Sequence, residues 1–410
     1  QHTLVNAPNG WVMQYFCGTG VAHFEGFNIL ARFDKGGKVT LASNHRYLRN
    51  DQAGKYTEAS SLYQLLLEDG PVLALNTWND VLTPFVDPVS PWQAPRYLNK
   101  DGAGMQGDNN FVIMKYSDDE ILLRGERYSG RTRLIPCDRP WEEYLAACDS
   151  IMNYVTSNLI TSYYIFGDTE DPESGTPQTE MLYITGLRNG GRLRYSERLD
   201  DPLKNDSLSA VFTPKGFRLE RADTIAGNPF QEFFLSEDST YLKTADGKVR
   251  IVSCWDNYII STRTSVWNFN QEQFNDTQKE LLEQIDAQLT KWNKNASLAS
   301  VGLGRSSGSN AVKGLVITFY TNTAKTKTNT AGLALNMYST GYGQMTIASD
   351  EDASPDRNMT SISAKSSVLE LARQFVATLD GQYEIIPNNY FKPTECELIK
   401  VGGTAKYTLK

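Results

Sequence analysis

Phe27-Asn28-Ile29-Leu30-Ala31-Arg32-Phe33-Asp34-Lys35-Gly36-Gly37-Lys38-Val39-Thr40-Leu41 decides the fold class of this chain. Phe27, Ile29, Ala31 and Phe33 recur at every second position, so they share one face of an extended strand. Asp34-Lys35-Gly36-Gly37 then supplies turn chemistry, and Val39-Thr40-Leu41 resumes the extended pattern. The stretch reads as an antiparallel hairpin.

The same signature spreads outward in both directions. Trp11–Phe16 leaves the turn Pro8-Asn9-Gly10 as a strand, and further strands are expected at 62–67, 72–76, 111–116, 121–124 and 132–135. Residues 141–155 break the pattern. Trp141, Tyr144, Leu145, Cys148, Ile151, Met152 and Val155 follow helical spacing, with Pro140 suited to a helix start. Strand patterns return between 163 and 253, and a second helix is expected to begin at a capping box, Thr277-Gln278-Lys279-Glu280. Its apolar face is Leu281, Leu282, Ile285, Leu289 and Trp292. Gly302–Ser309 reads as a flexible connection. A third strand-rich block echoes the first in outline, by duplication or by independent obedience to one pattern, and carries a helix over 366–379.

The expected architecture is therefore α+β and β-rich: consecutive antiparallel β-meander modules, each packed by an amphipathic helix. Three modules are drawn at 1–158, 159–296 and 297–410, the first two each ending in a closing helix, and the length of 410 residues suits two or three cores.

Composition narrows the function. A formal net charge of −8 disfavours binding to a phosphate backbone. The arginines at 124, 127, 131, 133 and 139 fall where strand faces meet solvent, so no nucleic-acid partner is expected. No apolar run reaches the 18 residues that a membrane helix needs. The five cysteines, at 17, 137, 148, 254 and 396, form no Cys-x-x-Cys and read as buried apolar thiols.

Catalytic signatures are sparse. Gly302–Gly308 lies between a helix and a strand, the reverse of a phosphate-binding loop. The three histidines, His2, His23 and His45, suggest no ligand triplet, and no nucleophile elbow occurs. Neither a metal nor a cofactor is expected. Acidic loops at 118–120, 168–173 and 350–356 offer carboxylates for ion binding or for glycan hydrolysis, which needs two acids flanking one bond. The feature pointing most directly to binding is an irregular loop over 84–110, flanked or carried by Trp78, Trp92 and Tyr97. Flat rings there suit a sugar face or a protein partner, and Asp101 and Asp108 are the polar residues expected beside them.

Several of these stretches also resemble a known family. Glu58-Ala59-Ser60-Ser61-Leu62-Tyr63, Gly70–Trp78, Asp87-Pro88, Gly104–Phe111, Ile121–Gly125, Phe212–Leu219 and Ile225-Ala226-Gly227 resemble large lipoproteins of Bacteroidetes, grouped as domain-of-unknown-function family 4302. The likeness covers most of residues 8–235 and departs from the family pattern where Asn109-Asn110 follow Asp108. It implies export, a lipid anchor upstream of Gln1 as the sole membrane attachment, and residence at the outer membrane or cell surface, with the periplasm as the alternative. It brings no catalytic residues with it. The expectation is a non-enzymatic surface protein binding a polysaccharide or protein partner through its loops, with ligand contacts at Trp78, Trp92, Tyr97, Asp101 and Asp108. A carboxylate-based glycan hydrolase and a structural or adhesion protein are the alternatives.

Overall fold

The computed structural model describes residues 1–17, 25–67, 70–87, 104–157, 163–170, 177–188, 191–196, 206–253, 266–341, 343–389 and 393–410. The chain divides into two units: Gln1–Leu159 with Tyr163–Val252, and Ile160–Ser162 with Ser253–Lys410. It is β-rich throughout, and every strand pair is antiparallel among the described residues.

The first unit opens with a short helix, α1 (His2–Val5), and nine strands: β1 (Trp11–Tyr15), β2 (Phe27–Phe33), β3 (Lys38–Ser43), β4 (Thr57–Leu62), β5 (Gln64–Leu67), β6 (Pro71–Ala74), β7 (Asn110–Tyr116), β8 (Ile121–Gly125) and β9 (Arg131–Pro136). They form one sheet in the order β4-β3-β2-β1-β9-β8-β7-β6-β5. The quoted hairpin is present, with Phe33 opposite Val39 and Ala31 opposite Leu41. The two edge strands, β4 and β5, are separated only by Tyr63. Laid flat, nine strands would hold their edges roughly 38 Å apart, whereas Leu62 and Gln64 are at most about 7 Å apart along the chain. The sheet must therefore curl until one continuous segment serves both edges, pairing with β3 through Thr57–Leu62 and with β6 through Gln64–Leu67.

The alternating residues singled out at the start line the inside of this curl. Phe27, Ile29, Ala31 and Phe33 join Trp11, Met13, Tyr15, Leu73, Phe111 and Leu123 in one buried cluster. A short helix, α2 (Thr83–Val86), pushes Phe85 into the same cluster. Its ring lies 4.5 Å from those of Phe27 and His45 and 5.3 Å from Tyr15. The core of this block is thus its own inward face plus a loop-borne plug.

The expected helix is α3 (Trp141–Ser157), but it does not form that core. Trp141, Tyr144, Leu145 and Cys148 pack with Val12, Leu30 and Ala42 on the outer face of the sheet. Strands β10 (Tyr163–Glu170), β11 (Pro177–Arg188), β12 (Arg192–Ser196), β13 (Asp206–Thr213), β14 (Gly216–Ile225), β15 (Asn228–Leu235), β16 (Leu242–Lys243) and β17 (Val249–Ser253) follow as a closed barrel. Phe217, Phe230 and Phe233 stack in its core. Side chains tie barrel to sheet. Asn28 Nδ2 donates to the Phe212 carbonyl at 2.7 Å, and Arg133 pairs with Glu120 at 2.7 Å and with Glu232 at 3.6 Å.

The second unit contains β18 (Trp267–Asn268), α4 (Asp276–Trp292), β19 (Ser297–Arg305), β20 (Lys313–Tyr320), β21 (Thr328–Ala334), β22 (Asn336–Gly341), β23 (Gln344–Ala348), α5 (Arg357–Ser363), α6 (Val368–Thr378), β24 (Gly381–Pro387), β25 (Cys396–Lys400) and β26 (Lys406–Leu409). Its sheets, β18–β21 and β22–β26, are linked at one end where Phe269 bridges Leu409. At the other end only Leu335 separates β21 from β22, so this sheet also closes on itself. Here the enclosed face is filled by helices. Leu281, Leu282, Ile285 and Leu289 of α4, with Leu371, Phe375 and Val376 of α6, share one core with residues of both sheets.

Three expectations change on this evidence of packing. The helix at 276–292 does not close the middle module; it fills the core of the second unit, which begins upstream of it. Its capping box is formed by Asn275 with Gln278 rather than by Thr277. The glycines at 302–304 are not a linker. They lie inside β19, and a Cβ on Gly302 would come within 2.4 Å of the Trp267 carbonyl oxygen, so glycine is needed there for β18 to pair. Among the described residues no helix is long and apolar enough to cross a membrane.

Candidate functional site

Of the five residues expected to contact a ligand, the structure places Trp78 at a pocket and removes Asp108 from contention. Trp92, Tyr97 and Asp101 lie outside the described residues. Asp108 is 3% exposed. Its Oδ1 accepts the backbone N–H groups of Arg127 and Tyr128 at 2.8 and 2.9 Å, and its Oδ2 accepts that of Gly130 at 3.2 Å. Its own carbonyl accepts the Tyr15 hydroxyl. The carboxylate is a clamp for the turn between β8 and β9, and its acceptor sites are spent on main chain. Gly125 makes room for it, since a Cβ there would overlap the carboxylate.

Trp78 is positioned by the way the first sheet closes. β4 pairs with β3 on one side, and its other edge is served by side chains of the loop after β6. Thr77 Oγ1 accepts the Leu62 N–H at 2.8 Å, while Asn79 Nδ2 donates to the Ala59 carbonyl at 3.1 Å and to Ser61 Oγ at 3.0 Å. Asn79 is itself buried, with Oδ1 accepting from Val81 N. Flanked by these two anchors, Trp78 projects outward and is 59% exposed. Its indole Nε1 donates to Asp80 Oδ1 at 2.7 Å, which restrains the ring. Two backbone-fixed neighbours and one side-chain hydrogen bond leave little rotamer freedom to lose on binding.

The ring borders a pocket of about 330 Å³, walled by Leu75, Asn76, Thr77, Asp87 and Asn109 together with α2. Leu75 and Asn109 are held by a backbone hydrogen bond of 2.8 Å. No Lys, Arg or His lines it among the described residues. An indole face beside amide, hydroxyl and carboxylate groups can stack on an apolar ring face and exchange hydrogen bonds with hydroxyls. Sequence reasoning found the tryptophan but not its setting. Asp80, which holds the indole, and Asn109, which comes from the far side of the loop, carry no local signal.

The other chemical candidates are dispersed. His45 is buried beneath α2. Because a carbonyl only accepts and a backbone N–H only donates, its Nε2 carries the proton given to Val81 O at 2.8 Å, and its Nδ1 accepts from Tyr47 N. Burial lowers its pKa from 6.5 to about 4. His2 bonds to Asn6 near the N-terminal end, and His23 lies outside the described residues. Glu120 is engaged by Lys115 and Arg133, which with their hydrogen bonds hold its carboxyl below the usual range against the opposing effect of burial. Asp168 pairs with Arg250. In the second unit Asp350, Glu351 and Asp352 border a cavity of about 540 Å³ with Glu370 and Arg373. Asp356 is withdrawn from that loop as the N-cap of α5. Among the described residues no three of His, Cys, Asp and Glu are arranged to hold a metal ion. Cys17, Cys137, Cys148 and Cys396 are buried and unbridged.

Comparison with known proteins adds a family. Among solved structures, an uncharacterized protein from Bacteroides eggerthii is similar at 18% identity and a TM-score of 0.18, covering 31% of this chain and 96% of that one. No curated protein matches. The model of a domain of unknown function, DUF4302, matches residues 1–237, which runs from α1 through β15 and takes in the Trp78 pocket. The chain belongs to the DUF4302 family.

Proposed function

We propose that this chain is a non-enzymatic, exported surface protein that binds a glycan at the Trp78 pocket. One observation carries the reading: an exposed indole, restrained by Asp80, bordering a small pocket whose polar walls are uncharged or acidic. A pyranose presents C–H groups on one face and hydroxyls around its rim, and this arrangement meets both. The pocket volume falls at the small end of the range of about 300–1,000 Å³ typical of ligand sites. That size favours one sugar unit of a longer chain. Among the described residues the wall contains a single carboxylate, Asp87, whereas glycoside hydrolysis ordinarily needs two. Binding is therefore favoured over cleavage. Export and anchoring by lipid at the outer membrane or cell surface are supported by the family resemblance, not by the pocket.

Affinity electrophoresis of the purified chain through a panel of neutral and acidic polysaccharides tests the reading. Wild type is expected to be retarded by at least one of them, and Trp78→Ala to lose at least tenfold in affinity with an unchanged melting temperature. Trp78→Phe is expected to keep part of the binding, because a smaller ring still stacks. Equal retardation of Trp78→Ala and wild type, or no retardation of wild type by any polysaccharide, would overturn it.

A further inference from the structure

A second cavity in the first unit, of about 370 Å³, lies where β2, α3 and β13 meet. Its walls combine two kinds of surface. Leu145 and Met152 of α3 and Phe212 of β13 are apolar. Facing the same space are Asn28, Asn44, Asp149 and the ion pair Arg46–Glu25, which closes at 2.8 Å.

Glu25, Arg46 and Asp149 give the described wall one net negative charge. Asn28 is held by the barrel: only Nδ2 can donate to the Phe212 carbonyl, at 2.7 Å, so Oδ1 is the remaining amide atom. That oxygen is buried and has no hydrogen-bond partner. Directly opposite Asn28 across the β1–β2 pair is Gln14, with no exposed surface, and neither of its amide atoms has a partner. Leaving such groups unpaired costs roughly 1–3 kcal/mol each, but with no accessible surface these atoms lie beneath the cavity wall and do not open into it. Asp149 accepts a hydrogen bond from Asn44 Nδ2 at 2.7 Å and has no cationic partner among the described residues. Desolvation raises its pKa, as expected of a carboxylate facing a partly apolar space without a counter-charge. Arg46 is matched by Glu25, and His45 has both ring nitrogens engaged elsewhere. One carboxylate is left without a cationic partner among the described residues of the wall.

We propose that this cavity binds a small organic cation, an ammonium or amidinium group on a short apolar body. The charge meets Asp149, and the body lies against Leu145, Met152 and Phe212. An anion would face Asp149, with Arg46 already neutralised by Glu25. A neutral alcohol could donate one hydrogen bond but would leave the carboxylate uncompensated.

Ligand-observed NMR on the full chain, with n-butylammonium, n-butylamidinium, n-butanol and butyrate as probes, tests the assignment. The two cations are expected to show saturation transfer and to compete with each other, while butanol binds at least tenfold more weakly and butyrate gives no signal. Asp149→Asn keeps the size of the side chain and its bond to Asn44, and is expected to weaken cation binding at least tenfold. Met152→Trp, which fills the cavity, is expected to abolish it independently of charge. Trp78→Ala is expected to leave it unchanged, which separates this site from the glycan pocket. Silent cations, equal binding of butanol or butyrate, or full cation binding by Met152→Trp would each overturn the proposal.

Discussion

The sheet of β1–β9 and the linked sheets of β18–β26 close by the same device and are filled in opposite ways. Each brings its two edges together on one extended segment broken at a single residue, Tyr63 in the first and Leu335 in the second. The first then fills its interior with its own strand residues and the Phe85 plug, and keeps its long helix outside. The second takes two helices inside, so that Phe375 of α6 meets Phe274 at 5.3 Å and Tyr383 and Tyr407 close around them. The difference shows that strand alternation sets which residues face inward, while the connections decide what they face.

That contrast can be broken most directly at the two fillers. Phe375→Ala is expected to destabilise the second unit by about 3–5 kcal/mol, because a helix held within a closed sheet cannot settle into the void. Phe85→Ala is expected to cost at least about 1 kcal/mol less, since α2 is a single turn on a loop and can relax. Urea unfolding of both variants decides the matter, and an equal or larger loss for Phe85→Ala would mean the plug is as rigid as the buried helices.

A smaller effect separates the two interiors by pH. His45 is the buried histidine of the first interior, and the second unit contains none. Its folded-state pKa, about 4, lies below the unfolded value of 6.5. The unfolded chain therefore takes up the proton first as pH falls. The stabilisation is full above about pH 6.5 and is lost progressively down to pH 4, by at most about 3 kcal/mol. His45→Gln is expected to flatten this part of the stability curve of the first unit and to leave the second unit unchanged. A wild-type and variant difference that stays constant from pH 7 to pH 4 would show that the histidine is not held neutral.

The smallest expected effect compares two helix starts within the second unit. Asn275 makes a reciprocal capping box with Gln278, whereas Ser367 caps α6 without any side-chain hydrogen bond. Asn275→Ala is expected to cost about 1 kcal/mol and Ser367→Ala less than half of that. Equal thermal shifts for the two would contradict the assigned cap.

The local grammar of the sequence was enough for the individual elements. The hairpin from Phe27 to Leu41 and the helix from Trp141 were readable because alternation and helical spacing are recorded within a few residues. Partners at long range were not. Nothing near residues 276–292 says that their apolar face belongs with β18 and the strands that follow rather than with the barrel that precedes them. Gly302 resembled a linker because the carbonyl that requires it, at Trp267, comes from another strand. Asp108 looked available because the N–H groups of Arg127, Tyr128 and Gly130 reach it only after β7, β8 and β9 assemble. Trp78 was legible as a large ring beside an irregular loop, but the Asp80 contact and the Asn109 wall were not. The cavity between β2, α3 and β13 left no trace in the sequence, since its polar members are 121 positions apart from Asn28 to Asp149.

The anchoring of β4 by Thr77 and Asn79 bears on how copies of this protein behave at high concentration. A strand with a bare flank invites a neighbouring molecule to add its own strand, the first step toward stacked fibrous aggregates. In this chain the hydroxyl and amide of two consecutive-but-one loop residues already occupy that flank. The loop that displays the indole thus also shields the molecule from self-templated polymerisation.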